Sequence, residues 1–367
     1  MKIAYLIHSL WNAGGTEKVL TLKANYLADK FGYQVTVITS FQQSRSPFFP
    51  LSDRIKRYDI GVNIEGRRNL LSYARLLKSF LKDNPQDLVV SLSGNELLVL
   101  PFLKDGSKKI GELHFSFKDL FSWYGDGLLD RSRTFVRKKE LLWSASRLDS
   151  YVVLTKAEYS GLRNHIRHLY QIYNPLSFWP DHPSDLKSKR FIAVGRLIGE
   201  KNYSAMIQIW AKVIEKYPEW TLHIFGEGPF RSRLEKQIVD NNLQKSVLLR
   251  GHSSDIQGEM VNSSCILMTS TTEAFPMVLL EASACGLPVI TYNCSPGISE
   301  IVADGVSGSV VPIGEIDAMT DKCLELIENP DKRKSFGEAA RKRASAFGID
   351  NVMSEWDSLF KHVLKTT

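Results

Sequence analysis

Twice along this chain, short apolar runs begin to alternate with amphipathic stretches, and each series opens on a strand, a glycine-bearing loop and an apolar-periodic helix. The first series opens with Lys2-Ile3-Ala4-Tyr5-Leu6-Ile7-His8, then Gly14-Gly15, then Val19, Leu20, Leu22 and Leu27. The second opens with Arg190-Phe191-Ile192-Ala193-Val194-Gly195-Arg196, then Gly199, then Met206, Ile207, Ile209 and Trp210. Further buried-type strands are expected at 34–39, 88–91 and 150–154, and at 220–225, 246–250, 266–269 and 288–292. Such alternation dictates α/β folding, because parallel strands connect through right-handed crossovers that lay helices on both sheet faces. Two doubly wound parallel-sheet domains are expected: residues 1–175 and 190–345, with a Pro-rich linker at 176–189. Residues 346–367 read as a terminal helix, for which packing back on the first domain is one option. Ligands of such sheets bind beyond the strands' carboxyl ends, so two facing sheets imply one inter-domain cleft.

Composition narrows the function. Cys265, Cys285, Cys294 and Cys323 stand 20, 9 and 29 positions apart, which gives neither a disulfide framework nor a Cys-x-x-Cys pair. The opening run is too short for a signal-peptide core, and the stretch 88–103 is too interrupted to span a membrane, so a cytoplasmic chain is expected. The net charge of +7 is unevenly placed: residues 1–180 carry 26 Lys and Arg against 16 Asp and Glu, the remainder 21 against 24. A basic first half suggests an anionic surface or substrate, and solvated charge is the plain alternative. Within it, residues 67–82 set Leu70, Leu71, Tyr73, Leu76, Leu77, Phe80 and Leu81 among Arg67, Arg68, Arg75, Lys78 and Lys82. Phe115, Phe117, Phe121, Trp123 and Tyr124 precede a second basic stretch. Both fit a surface resting on an anionic bilayer, and both fit core helices with solvated faces.

The stretch 273–285 carries the most chemistry. Pro276 suits a helix's first turn, and 277–285 is apolar except for Glu281 and Ser283, so this helix is buried and Glu281 needs a hydrogen-bonding partner. Glu273 lies in the loop that leaves a strand, where substrate-facing residues sit. That one acid caps the helix while the other meets a buried donor stays open. Arg196 and Lys201 at a strand's end suit a diphosphate. Gly14-Gly15 before a helix lets backbone N–H groups approach a phosphate, although the loop is neither a dinucleotide fingerprint nor a triphosphatase loop. No Asp-x-Asp pair or zinc-ligand spacing exists, so no metal and no cofactor is expected. His114 is read either as facing the cleft or as a structural histidine.

These residues resemble the retaining glycosyltransferases of family 4, which have the GT-B fold of two facing Rossmann-like domains. The motifs run in order: Gly14-Gly15-Thr16-Glu17, Val194-Gly195-Arg196-Leu197 with Lys201-Asn202, Phe225-Gly226-Glu227-Gly228-Pro229, Gly251-His252, and Glu273 to Glu281 continuing to Val289. The resemblance implies that the second domain binds a nucleotide-sugar donor and the first the acceptor. Arg196 and Lys201 would then hold the diphosphate, with backbone help from Gly15, Val278 and Leu279, and Glu281 the ribose. Glu273 with Phe275, Pro276 and Met277 would grip the transferred sugar; Gly251 and His252 would border the base, and His114 the sugar. Glu273, Arg196, Lys201 and His114 are the implied catalytic set. The segment Asn293-Cys294-Ser295-Pro296-Gly297-Ile298-Ser299-Glu300-Ile301-Val302 looks like that of bacterial enzymes of capsule, O-antigen or exopolysaccharide synthesis. It implies a UDP-sugar, a glycan or lipid-linked oligosaccharide acceptor, and peripheral attachment to the inner face of the cell membrane. A UDP-sugar 2-epimerase of similar fold is the competing enzyme; a nucleic-acid-binding protein has the charge but no recognition module, so no nucleic-acid partner is expected.

Overall fold

The structure, a computed structural model, describes residues 1–92, 94–117 and 128–366. The chain divides into two compact units, residues 1–175 with 349–367, and residues 176–348. Phe121, Trp123 and Tyr124 lie outside the described residues.

The first unit holds β1 (Lys2–Ile7), α1 (Gly15–Asp29), β2 (Gln34–Thr39), β3 (Lys56–Asp59), α2 (Leu70–Asp83), β4 (Leu88–Ser91), β5 (Lys108–Leu113), α3 (Leu128–Ala145), β6 (Ser150–Val153), α4 (Lys156–Leu162) and β7 (Leu169–Gln171). Among the described residues its strands form one parallel sheet in the order β3-β2-β1-β4-β5-β6-β7. Strand β1 shows why the apolar runs are continuous. Ile3, Tyr5 and Ile7 enter the core on one face, while Ala4 and Leu6 enter the core on the other. Strand β3, Lys-Arg-Tyr-Asp, is exposed throughout and forms the sheet's edge, so no apolar run announces it.

The second unit follows with β8 (Arg190–Val194), α5 (Tyr203–Lys216), β9 (Thr221–Phe225), α6 (Arg231–Asp240), β10 (Val247–Gly251), α7 (Ile256–Val261), β11 (Cys265–Met268), α8 (Met277–Ala284), β12 (Val289–Tyr292), α9 (Pro296–Ile301), β13 (Gly308–Val311), α10 (Ile316–Glu328) and α11 (Pro330–Ala344). Its parallel sheet runs β10-β9-β8-β11-β12-β13. Phe191, Trp210, Trp220, Ile224, Met319 and Cys323 lie in one core on its flank. The expected α/β class, two doubly wound Rossmann-like parallel sheets, is what the chain adopts.

Residues 176–189, expected as a linker, are part of the second unit. Leu176 N donates to Phe347 O at 2.9 Å, Ser184 N to Cys285 O at 2.8 Å, and Arg333 Nε to Leu186 O at 3.2 Å. The final helix, α12 (Ile349–Lys365), counts with the first unit. Val352, Met353, Trp356, Leu359, Phe360 and Val363 enter the core beneath β1, and Tyr26 Oη donates to Asp350 at 2.5 Å.

Candidate functional site

In the second unit the carboxyl ends of β8, β9 and β10 are tied together by backbone. Gly195 N donates to Phe225 O at 2.9 Å, Leu197 N to Glu227 O at 2.9 Å, and Gly226 N to Gly251 O at 2.7 Å. Gly226 makes this possible: its φ is +138°, and a Cβ there would stand 2.0 Å from Gly195 O. Arg196 rides on this clamp just past β8, and its guanidinium is exposed with no ion pair or hydrogen bond among the described residues.

Lys201 ends a short 3-10 turn, Gly199–Lys201, and Asn202 takes the left-handed conformation (φ +49°) before α5. Thr269, just past β11, fastens this turn by donating its hydroxyl to Lys201 O (3.1 Å) and Asn202 O (3.0 Å), while Thr271 N donates to Glu200 O at 2.8 Å. The two loops so joined bring Lys201 Nζ to 2.5 Å from Glu273 Oε1, both side chains mostly buried. Tyr203 lies against them and donates to Gly195 O at 3.1 Å; burial, then the Glu273 charge, pushes its phenol well above the usual range.

Helix α8 is apolar nearly all round and buried. Pro276 occupies its cap position, one residue before the first turn that the sequence suggested, and offers no side-chain cap, while Leu279 N donates to Pro276 O at 3.0 Å and closes the first turn. Phe275, Pro276, Met277 and Leu279 are buried and Val278 half-buried; the Phe275 ring packs at a tilt against Phe347, centroids 5.8 Å apart. One turn in, Glu281 is 4% exposed and accepts from Ser177 Oγ at 2.7 Å. Burial, then the Glu281 charge, pushes the neighbouring Cys285 thiol up to about 12. Gly251 closes β10, and His252 beside it is exposed. Inside the same strand edge, burial, then the nearby Arg190 and Arg250, lowers His223 to about 4.

The first unit holds the remaining candidates. Gly14 caps α1 in extended conformation, and Gly15 opens the helix, exposed, with open space where a Cβ would be. His114 follows β5 directly, is 8% exposed, and sets Nε2 2.9 Å from Glu112 Oε2. Glu112 in turn receives Lys23 Nζ at 2.6 Å.

Each unit therefore gathers its candidates beyond strand carboxyl ends: Arg196, Lys201, Glu273, Glu281, 275–279 and Gly251-His252 in the second, Gly14, Gly15 and His114 in the first. Sequence reasoning did not find Ser177, Thr269, Tyr203, Glu112 or Lys23. Lys23 alone left a signal, a charge on the apolar face between Leu20, Ala24 and Leu27. Among the described residues no group of three His, Cys, Asp or Glu is placed to hold a metal ion, and no helix is long and apolar enough to cross a membrane.

Residues 179–343 match the family model of the Glycosyl transferases group 1. A protein of Haemophilus influenzae described as a glycosyltransferase is 27% identical over 98% of this chain and 99% of its own length. The amylovoran biosynthesis glycosyltransferase AmsD of Erwinia amylovora is 27% identical over 98% and 99%. Among solved structures, a Staphylococcus aureus TarM variant bound to fondaparinux, α-GlcNAc-glycerol and UDP superposes with a TM-score of 0.80 at 16% identity, covering 98% of this chain and 100% of TarM. HepE of Anabaena, bound to UDP, superposes with a TM-score of 0.76 at 19% identity over 99% and 100%.

Proposed function

We infer that this glycosyltransferase of GT-B fold moves a sugar from a nucleotide diphosphate, a UDP-sugar, to a hydroxyl of a growing cell-surface glycan, with retention at the anomeric carbon. One observation carries the reading: Lys201 and Glu273 are held in contact beyond β8 and β11, in the loop that follows the exposed Arg196 and the loop that leads into the capless N-terminus of α8. That arrangement offers two cations and a helix end to a diphosphate and a carboxylate to sugar hydroxyls. Glu281, one turn into α8, takes the ribose, and Gly251-His252 the base.

In the proposed step the acceptor oxygen bonds to the anomeric carbon on the face from which the diphosphate departs. The C–O bond to UDP breaks, the diphosphate oxygen takes the acceptor's proton, and Arg196 and Lys201 neutralise the charge that develops. No metal and no cofactor takes part. On the first unit, Gly14 and Gly15 serve the phosphates and His114 the sugar. UDP bound to HepE and TarM, and the amylovoran biosynthesis of AmsD, support the donor and the glycan acceptor.

A lipid-linked acceptor and attachment to an anionic membrane complete the reading. Helix α2 exposes Leu71 and Leu76, and its Arg75, Lys78 and Lys82 line a groove of about 610 Å³ with Lys104; the groove's Asp105 is already paired with Lys109. Pelleting with phosphatidylglycerol vesicles at low salt is expected, and its absence removes the membrane.

A thermal-shift series with UDP, GDP, ADP and their sugar conjugates tests the donor. A ligand at a hundred times its Kd stabilises by about 2.7 kcal/mol, so UDP compounds should raise the Tm and the others should not. A shift with GDP or ADP alone overturns the UDP assignment.

A further inference from the structure

Three ionisable side chains stand in line inside the first unit. Lys23 from α1 is 1% exposed and reaches Glu112 Oε1 at 2.6 Å; Glu112, 0% exposed on β5, meets His114 Nε2 at 2.9 Å through its other oxygen. The Lys23 ammonium also stands 3.5 Å from the centroid of the Trp356 ring on α12 and 5.5 Å from that of Tyr5 on β1.

We propose that Glu112 and Lys23 are positioning residues for His114: the buried carboxylate, neutralised by the ammonium, accepts a hydrogen bond from Nε2–H and fixes the ring with Nδ1 as its acceptor. The proposal rests on the reading that His114 serves the transferred sugar. Stability does not explain the pair, because a buried ion pair is on average no better than apolar side chains of the same volume. The geometry shows its aim: from the last pleat of β5, Glu112 Oε2 meets His114 Nε2 at 2.9 Å just past the strand's end. Lys23 and His114 both favour the charged carboxylate of Glu112. Burial pushes it up, but Lys23 and then His114 overcome this and bring it below the usual range. Burial lowers Lys23 to about 8, which still leaves it protonated at neutral pH. Tyr5 from β1 and Tyr151 from β6 are both pushed up, chiefly by burial, and stay neutral; Glu158 from α4 accepts from Phe117 N at 3.4 Å, beyond His114. A carboxylate accepts only, so Nε2 must carry the hydrogen.

The test is 15N NMR of histidine-labelled full-length chain, with the His114 signals identified by their loss in His114→Gln. In the unsubstituted protein the neutral ring carries its proton on Nε2. Glu112→Gln, whose amide can accept or donate, mixes the tautomers and moves the ring's titration midpoint to lower pH. Lys23→Met leaves the carboxylate unbalanced and moves the midpoint to higher pH, by about one unit in either case. Opposite shifts from two neighbouring substitutions are not produced by loosened packing. If a single variant fails to fold, the neutral pair Lys23→Met with Glu112→Gln is read instead, and mixed tautomers are expected. An unchanged His114 titration and tautomer in every folded variant overturns the proposal. A second readout separates its premise: UDP-glucose hydrolysis should fall at least tenfold in His114→Gln, and its pH profile should move with the NMR midpoint in the other two. NMR shifts with hydrolysis untouched by His114→Gln overturn the role of His114 in transfer, and the positioning role with it.

Discussion

Lys201 and Glu273, 72 positions apart, meet at 2.5 Å because the Thr269 hydroxyl bonds the backbone on both sides of the Lys201–Asn202 peptide. The contact is thus made by loops that are themselves fixed. Lys201→Ala and Glu273→Ala should each lower turnover, and the double variant should lose less than their sum, with a coupling of about 1–3 kcal/mol. Strict additivity in UDP-sugar turnover would show that the two act on separate parts of the substrate. Thr269→Val should reproduce part of the Glu273→Ala loss without touching either side chain.

The Arg196 guanidinium is exposed and has no ion pair or hydrogen bond among the described residues, so its charge is available to a departing diphosphate. Arg196→Ala should cost about 2–4 kcal/mol of transition-state stabilisation, roughly thirtyfold to a thousandfold in kcat. Because the reading assigns this neutralisation to side chains, EDTA should leave the steady-state rate unchanged. A rate abolished by EDTA and restored by a divalent cation would reverse that assignment.

Glu281 and Ser177 make one buried hydrogen bond at 2.7 Å within the second unit. Glu281→Ala should raise the Kd for UDP by about tenfold or more, the scale of a lost bond to a charged group, at about 1.5–3 kcal/mol. Ser177→Ala should have a smaller effect, since the carboxylate remains. Isothermal titration with UDP measures both, and equal affinities in the three proteins would take the ribose away from Glu281.

Glu96 is buried just past β4, and desolvation raises it to about 7 against an ordinary 4.5. The folded state therefore holds this proton more tightly than the unfolded chain does. Stability from it is fully present below the unfolded value and is lost as pH rises from about 4.5 to about 7. Two and a half units correspond to about 3 kcal/mol. Urea unfolding at pH 5 and pH 8 should show a decline that Glu96→Gln flattens, and an equal decline in both proteins would place its origin elsewhere.

How much of this the sequence carried depends on whether a partner was local. The strand and helix series was legible because each element declares its own period, and β1 buries both faces as its unbroken apolar run requires. Strand β3 was not, since an exposed edge strand of four polar and aromatic residues has no apolar pattern to read. Glu281 was legible as a buried acid in an apolar helix, but Ser177, 104 positions away, was not. The same holds for Thr269 and for Lys23 with Glu112, where the fold, and not the spacing, makes the meeting. The basic helix was partly legible: α2 buries Tyr73, Leu77 and Leu81 as periodicity requires, while Leu71 and Leu76, grouped with them by type, face outward. Arg67, counted among the basic surface charges, is spent on Glu140 at 2.7 Å.

Helix α12 gives the chain an unusual order of manufacture. The first unit is begun before residue 176 and completed only by residues 349–367, after the whole of the second unit has been made. At about 5–20 residues per second, β1 and α1 wait roughly 10–40 s after residue 175 before Trp356, Met353 and Phe360 arrive to cover them. The second unit, continuous from 176 to 348, meets no such delay and can close while its elder neighbour is still open. A chain that ended before residue 349 would therefore hold a complete second unit and an unfinished first, with Lys23 still lacking the Trp356 ring that covers it.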